Sequence, residues 1–165
     1  MITNTETAQV DEIEIRRLIG KWSDALEARD AGGLTADYAP EALLFDAIPP
    51  YKRIGADAIR EAWEHCLPYF PEAFKSEHRD IAIHVDGDVA FVHGLHHIIA
   101  KDHPAAKSWL RVTVGYRRIE GHWKVVHEHV SLPFNPLDDR AWPITDPDAN
   151  DQPDYSQGGC GGGEA

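Results

Sequence analysis

The first third of the chain carries apolar residues at helical spacing. Between residues 7 and 29, apolar positions recur near every 3.6 residues and charged residues occupy the other face. This pattern predicts a long amphipathic helix. A short second helix is predicted at residues 34–38, ending before Pro40, because the residue that precedes a proline avoids the helical region.

Beyond residue 41 the pattern changes to short apolar runs separated by turn residues. A third helix is predicted at residues 56–67, and hairpin turns at Asp86-Gly87 and Glu120-Gly121. Strands are predicted at residues 42–48, 52–54, 77–85, 89–100, 108–119 and 122–132. Helices followed by a run of strands indicate an α+β fold. We expect N-terminal helices packed on a strongly curved antiparallel sheet that encloses a pocket for a small molecule.

The last part of the chain has a different composition. Residues 133–165 are rich in proline, aspartate and glycine and offer little to bury. We therefore predict one domain at residues 1–134 and an acidic, partly disordered arm and tail at residues 135–165. Trp142 and Ile144 are the residues that would dock the arm on its own domain or on a neighbour.

The charge balance excludes some partners. The chain has 16 Lys and Arg against 28 Asp and Glu, a formal net charge of −12. Such a surface does not suit nucleic acid or an anionic membrane, because both need basic residues. The first residues lack the basic and apolar regions of a signal peptide, and the two cysteines do not suggest a disulfide framework. A cytoplasmic location is expected.

The last hairpin allows side chains to be assigned to faces. If Glu120-Gly121 is a two-residue loop in a regular ladder, Gly115 lies opposite Val126. Arg111, Thr113, Glu128 and Val130 then share the pocket face. Glu128 would be an unusual acid among apolar neighbours, with Arg111 within diagonal reach. That pair is either a salt bridge between strands or part of a functional site, and the sequence leaves both open.

The same count turns His127 and His129 to the outer face of the sheet, together with Val112, Val114, Tyr116 and Val125. The chain contains ten histidines, but no metal-binding motif groups them. We therefore predict no metal and no cofactor, and keep a histidine-metal enzyme as the weakest alternative. The semi-apolar outer face is predicted to form a homodimer interface.

Four segments resemble a known superfamily. They are WSDALEARD (22–30), LLFDAIPPYKRIG (43–55), GDVAFVHG (87–94) and YRRIEGHWKVVHEHVSLPF (116–134). Over residues 10–134, the order of helices, strands and turns resembles the cone fold of the NTF2-like superfamily, in its SnoaL-like and ketosteroid-isomerase-like branch. The last segment is also similar to the association domain of calmodulin-dependent kinase II. None of these motifs is a catalytic signature.

The resemblance assigns roles to individual residues. It implies that Asp46 stands at the position of the isomerases' general base, Trp22 at that of their tyrosine, and Arg111 near that of their second acid. The similarity to the association domain implies that His96, Thr113 and Val130 face inward. It also implies pairing of subunits through the outer face of the sheet.

Two classes of function follow from these assignments. The first is a cofactor-independent isomerase, dehydratase or cyclase acting on an acidic or carbonyl-containing small molecule. Asp46 would be its base, Arg111 would stabilise an oxyanion, Glu128 would orient Arg111, and His96 would contact Asp46. The second is a non-catalytic module for ligand binding or oligomerisation.

Each candidate also has a purely structural interpretation. Asp46 would cap a turn, Trp22 would be a core residue, Tyr38 would bond the backbone, and His96 would be a buried histidine with its hydrogen bonds satisfied.

Overall fold

The computed structural model describes residues 4–157, in which helices precede most of the strands. The helices are α1 (Asn4–Glu27), α2 (Ala31–Thr35) and α3 (Ala56–Cys66). The strands are β1 (Tyr38–Phe45), β2 (Lys52–Ile54), β3 (Lys75–Asp86), β4 (Val89–Ile99), β5 (Leu110–Ile119), β6 (His122–Ser131), β7 (Phe134–Asn135) and β8 (Arg140–Ala141).

Six strands form one sheet in the order β2-β1-β6-β5-β4-β3. The helices α1 and α3 cover its inner face, where Ile15, Leu18 and Ile59 pack with strand residues such as Leu44 and Val92. The predicted α+β class is therefore confirmed. One pair, β1 with β6, is parallel, so the sheet is mixed rather than wholly antiparallel.

The second helix and the first strand both begin earlier than the sequence pattern predicts. Asp30 caps α2, because its Oδ1 accepts a hydrogen bond of 2.9 Å from the Gly33 N–H. The chain then enters β1 at Tyr38, before Pro40. A register shift between Tyr38 and Leu43 accommodates the proline, which cannot donate to a ladder. Tyr38 consequently lies in a strand, where its side chain is buried.

A bulge in the β5–β6 hairpin reverses the predicted faces. Glu120-Gly121 forms the expected turn, but Gly115 pairs with His127 rather than with Val126, because the register shifts between Gly115 and Tyr116. One extra residue in a strand moves every later side chain to the opposite face relative to its partner. The prediction for β5 was therefore wrong: Arg111 and Thr113 face outward, and Val112, Val114 and Tyr116 line the interior. Val125 is buried as well, while His127 and His129 lie on the outer face with Arg111 and Thr113.

Gly94 on β4 lies against a second bulge, in β3 between Arg79 and Ala82. A Cβ at Gly94 would stand 2.5 Å from Ile81 Cδ1 and 3.0 Å from the Arg79 carbonyl oxygen. We expect Gly94→Ala to lower the free energy of unfolding by about 1–3 kcal/mol, measured by urea denaturation, because Ile81 and the bulge must shift. Gly115→Ala is the matched control, since its nearest contact would be an ordinary 3.6 Å. Equal losses in the two variants would contradict this explanation.

The C-terminal arm packs on its own domain. Ile144 forms a bridge with Trp109, and its N–H donates to Ser108 Oγ at 2.9 Å. Arg79 on β3 pairs with Asp148. The glycine-rich end of the predicted disordered tail, residues 158–165, lies outside the described residues, and the domain boundary near residue 134 stays a prediction. None of the described helices is long and apolar enough to cross a membrane.

Candidate functional site

A cavity of about 760 Å³ lies between the helices and the inner face of the sheet. This volume is typical of sites for small molecules. Its wall is mainly apolar and aromatic, with side chains from all three helices and all six strands of the sheet. Representative members are Leu18, Leu44, Ile59, Trp63, Val112 and Val130.

Glu128 is the buried acid of this cavity. It lies on β6, and the Tyr38 hydroxyl donates to its Oε2 at 2.5 Å. Burial raises the pKa of Glu128 to about 6; the bond from Tyr38 opposes this shift, and the charge of Asp46 adds to it. The carboxyl group can therefore hold or release a proton close to neutral pH. Burial and the neighbouring Glu128 raise the pKa of Tyr38 well above its usual value, so the phenol stays a donor.

Trp22 supplies a second donor beside this pair. Its indole N–H is close enough to Tyr38 to lower the pKa of that hydroxyl. It makes no hydrogen bond of ordinary geometry in the fold, even to Tyr38, and among the described side chains its Nε1 is the one buried polar atom in that state. Burying an N–H without a hydrogen bond costs free energy. This N–H is therefore available to donate to an oxygen of a bound molecule.

Asp46 lies at the end of β1, on the cavity wall. Its carboxylate accepts from Arg53 Nε and from the Ile48 N–H, each at 3.3 Å. The side chains of Asp46 and Arg53 are both 20% exposed. Asp46 therefore does cap a turn, and in addition it brings a carboxylate with an arginine partner to the same cavity as Glu128.

Two histidines face each other across β3 and β4. His78 is paired with His96 in the ladder, their ring centroids are 4.8 Å apart, and both rings line the cavity. Burial lowers the pKa of His78 to about 4 and, together with the neighbouring His78 and His97, that of His96 to about 3. Both imidazoles are consequently neutral at pH 7. Ser76 Oγ lies 2.9 Å from His96 Nε2.

The cavity brings together most of the residues predicted from the sequence. Those on its wall are Trp22, Tyr38, Asp46, His96, Glu128 and Val130. Thr113 and Arg111 are not among them. Arg111 is exposed on the outer face and donates to Ser131 Oγ at 3.1 Å, because the β5–β6 bulge turns it away. Glu128 consequently bonds Tyr38 rather than orienting Arg111.

The sequence interpretation did not include Arg53, His78, Ser23 or Ser76. Arg53 lies in the short strand β2. The pairing of β2 with β1, which sets Arg53 opposite Leu44, is the feature that could have indicated it. Counting the β3–β4 ladder back from the observed hairpin turn would have set His78 opposite His97 instead of His96, because the β3 bulge adds one residue between the turn and His78.

Within residues 4–157, no group of three or more histidine, cysteine, aspartate or glutamate side chains is arranged to hold a metal ion. The outer-face histidines pack with aromatic rings instead. His84 stacks on Phe91 at 4.5 Å, and Phe45 contacts His127 and His129 edge-on. The geometry of the described residues therefore gives the histidine-metal alternative no support.

The cone-like sheet, the helical cover and the enclosed cavity define a protein of the NTF2-like fold class. The model of the SnoaL-like domain family matches residues 15–135. The chain belongs to the SnoaL-like family.

Solved structures agree with this assignment. An NTF2-like protein of unknown function from Pseudomonas putida is 35% identical, with a TM-score of 0.79, and the match covers 85% of this chain and 99% of that one. A candidate dehydratase of the NTF2-like family from Streptomyces avermitilis is 18% identical, with a TM-score of 0.64 over 74% and 96% of the two chains.

A candidate calcium/calmodulin-dependent kinase II association domain from Xanthomonas campestris is also similar. It is 23% identical, with a TM-score of 0.60 over 72% of this chain and 84% of that one. At such identities the Streptomyces and Xanthomonas matches show the shared fold alone. No functionally curated protein matches the chain significantly.

Proposed function

We propose that the protein is a cofactor-independent acid–base enzyme of the isomerase, dehydratase or cyclase type, acting on a carbonyl-containing small molecule. The observation that carries this proposal is Glu128, a buried carboxyl in an apolar cavity, with its pKa raised to about 6. A purely structural acid would gain little from such burial, because desolvation disfavours its charged form. A similar fold is seen in candidate dehydratases, which fits this class of reaction.

The two carboxyl groups have different surroundings and take different roles. Asp46, whose carboxylate accepts a hydrogen bond from Arg53, removes a proton from the carbon next to the ligand carbonyl. As negative charge develops on the carbonyl oxygen of the ligand, that oxygen accepts a hydrogen bond from the unpaired indole N–H of Trp22. Glu128 in its protonated state, bonded to Tyr38, delivers the second proton and is left as a carboxylate.

Proton exchange at a carbon acid tests this proposal without knowledge of the natural substrate. With β-tetralone in D₂O, we expect the wild-type protein to accelerate loss of the α-proton signals in the NMR spectrum. Asp46→Asn and Glu128→Gln are each expected to reduce the exchange rate by about 10²-fold, because each removes one proton carrier. Glu41→Gln, at an exposed position of β1, is the matched control.

Wild-type activity in both carboxyl variants would refute these roles. The alternative, a binding module, predicts that β-tetralone binds without any accelerated exchange. Saturation-transfer NMR on the same sample measures binding and separates the two functions.

A second proposal concerns assembly: the outer face of the sheet pairs two copies of the chain. Phe91 is 49% exposed there and stacks with His84 and His93, which leaves an aromatic patch open to solvent. Similar folds include candidate association domains. Light scattering is expected to give twice the mass of the chain for the wild type and one chain mass for Phe91→Lys. Tyr155→Lys, at a residue that is also 49% exposed, is expected to remain dimeric; a monomeric wild type would exclude this interface.

A further inference from the structure

A continuous row of hydrogen-bonding groups joins the two cavity histidines. His96 Nε2 lies 2.9 Å from Ser76 Oγ, Ser76 Oγ lies 3.0 Å from Ser23 Oγ, and Ser23 Oγ lies 3.2 Å from His78 Nδ1. The groups come from three elements, α1, β3 and β4. We call these four residues the His–Ser–Ser–His chain.

The His–Ser–Ser–His chain separates two spaces in the molecule. The imidazole rings line the main cavity, whereas Ser23, Ser76 and His78 line a groove between α1 and β3. The serines lie on the groove side, and each ring keeps one nitrogen that they do not engage, His96 Nδ1 and His78 Nε2. Because both rings line the cavity, those are the nitrogens left to bind a molecule there.

The surrounding residues hold the chain in register. Trp22 packs edge-on against both imidazoles, with centroids 5.2 Å from His96 and 5.8 Å from His78. The carboxylate of Glu27 accepts from the Ser76 N–H at 2.9 Å, which fixes the start of β3 against α1. Charged groups around the chain are Glu27 with its partner Lys75, Arg16, which lines the same groove, and Glu77, which lies 4.0 Å from His97. No carboxylate is among the described partners of either imidazole nitrogen in the chain.

The number of hydrogens available allows the His–Ser–Ser–His chain two ordered patterns of hydrogen bonds. Each serine has one hydrogen to give, so a continuous chain runs either from His96 to His78 or in the reverse direction. In the first state both imidazoles carry hydrogen on Nε2, and in the second both carry it on Nδ1. In either state one cavity-facing nitrogen is a donor and the other is an acceptor.

We propose that the His–Ser–Ser–His chain is a neutral proton relay that removes a proton from one position of a cavity-bound ligand and returns one at another. In the first state, His96 Nδ1 takes the ligand proton as His96 Nε2 passes its own to Ser76. Ser76 protonates Ser23, Ser23 protonates His78 Nδ1, and His78 Nε2–H protonates the ligand. No charge accumulates on either ring, and the chain ends in its second state. The first state is restored when water takes the proton from His96 Nδ1 and supplies one to His78 Nε2.

The relay favours a particular class of ligand. The two outer nitrogens belong to rings whose centroids are 4.8 Å apart, so donor and acceptor positions of the ligand must be close together. A ketone with an α-proton or a β-hydroxyketone meets this requirement. The inference rests on the proposed function, because the relay needs a ligand that exchanges a proton.

The tautomers of the two histidines provide a test that needs no ligand. In protein labelled with ¹⁵N-histidine, the ring nitrogen shifts give the fraction of Nδ1–H tautomer at each residue. We expect both rings to be neutral at pH 7, with equal fractions at His78 and His96. Ser76→Ala should make the fractions unequal, Ser76→Thr should keep them equal, and Ser131→Ala on the outer face is the matched control. Unequal fractions in the wild type, or a charged ring, would overturn the relay.

Exchange of β-tetralone tests the transfer step on the same variants. Because Asp46 is a separate base for the same ligand, the Ser76 variants are compared in an Asp46→Asn background, where the relay is the remaining route. There Ser76→Ala is expected to lower the exchange rate by about a further tenfold with little change in KM, and Ser76→Thr to restore it. Coupled tautomers with undiminished exchange in the Asp46→Asn, Ser76→Ala double variant would overturn the transfer to the ligand. A wild type that does not exchange β-tetralone at all would count against the proposed function, even where the tautomers remain coupled. Uncoupled tautomers with full exchange would overturn the relay and leave the carboxyl mechanism standing.

Discussion

Acidification from pH 6 to pH 4.5 is expected to destabilise the protein by about 1.4 kcal/mol per pH unit. His78 and His96 remain neutral in the fold, with pKa values near 4 and 3, but take up protons below pH 6.5 when the chain unfolds. Their stabilising contribution is complete above pH 6.5 and is lost as the pH falls towards their folded pKa values. Glu128 acts in the opposite direction, because its pKa is about 6 in the fold and 4.5 when unfolded. The proton that Glu128 binds in the folded state therefore offsets one of the two protons that the histidines bind in the unfolded state.

Single substitutions separate these contributions. In Glu128→Gln the slope is expected to double to about 2.7 kcal/mol per pH unit, because both histidine protons are then unopposed. In His96→Gln the slope of the unfolding free energy with pH is expected to fall close to zero between pH 6 and pH 4.5, because Glu128 then offsets the one histidine that remains. His93→Gln, at an exposed residue of the outer face, should keep the wild-type slope. Urea denaturation at pH 6.0, 5.0 and 4.5 measures all three, and a wild-type stability that rises on acidification would contradict the burial of neutral histidines.

Local patterns were sufficient to predict α1, α3, the main strands and the Glu120-Gly121 turn, but they placed α2 three residues late and the β3–β4 turn one residue early. The amphipathic period of α1 and the Glu120-Gly121 turn are examples, because both depend on residues adjacent in sequence. The β-bulges depend on contacts between strands, and their effect spreads along the sheet. A single extra residue, Val126, reversed the assignment of all predicted β5 side chains. The resemblance to a known family fixed the fold class independently of that count.

The candidate site was predicted only in part, for the same physical reason. Trp22 and Asp46 were assigned through the resemblance to a known family, and Glu128 was recognisable as an acid among apolar neighbours. Arg111 was assigned through the strand register and moved to the outer face with it. The His–Ser–Ser–His chain needs three elements to meet, and no local pattern in the sequence marks Ser23 as a partner of His78.

Trp22 shows how a structural and a functional role can occupy one side chain. It packs against both hydrophobic clusters of the core, including Trp63 at a ring distance of 5.8 Å. Trp22→Ala is therefore expected to lower the free energy of unfolding by about 3 kcal/mol. Trp22→Phe keeps an aromatic ring in the same space and removes an N–H that has no partner in the fold, so its cost is expected to stay below about 1.5 kcal/mol.

The two variants separate packing from ligand recognition. If the indole N–H binds the ligand carbonyl, Trp22→Phe raises KM or lowers kcat for β-tetralone exchange by about tenfold while the protein remains folded, since one hydrogen bond is worth about 0.5–1.5 kcal/mol. Urea denaturation and exchange kinetics on the same samples measure both effects. Unchanged kinetics in a stable Trp22→Phe would make Trp22 a core residue only. A loss of stability equal to that of Trp22→Ala would mean that the indole N–H does have a partner in the folded protein.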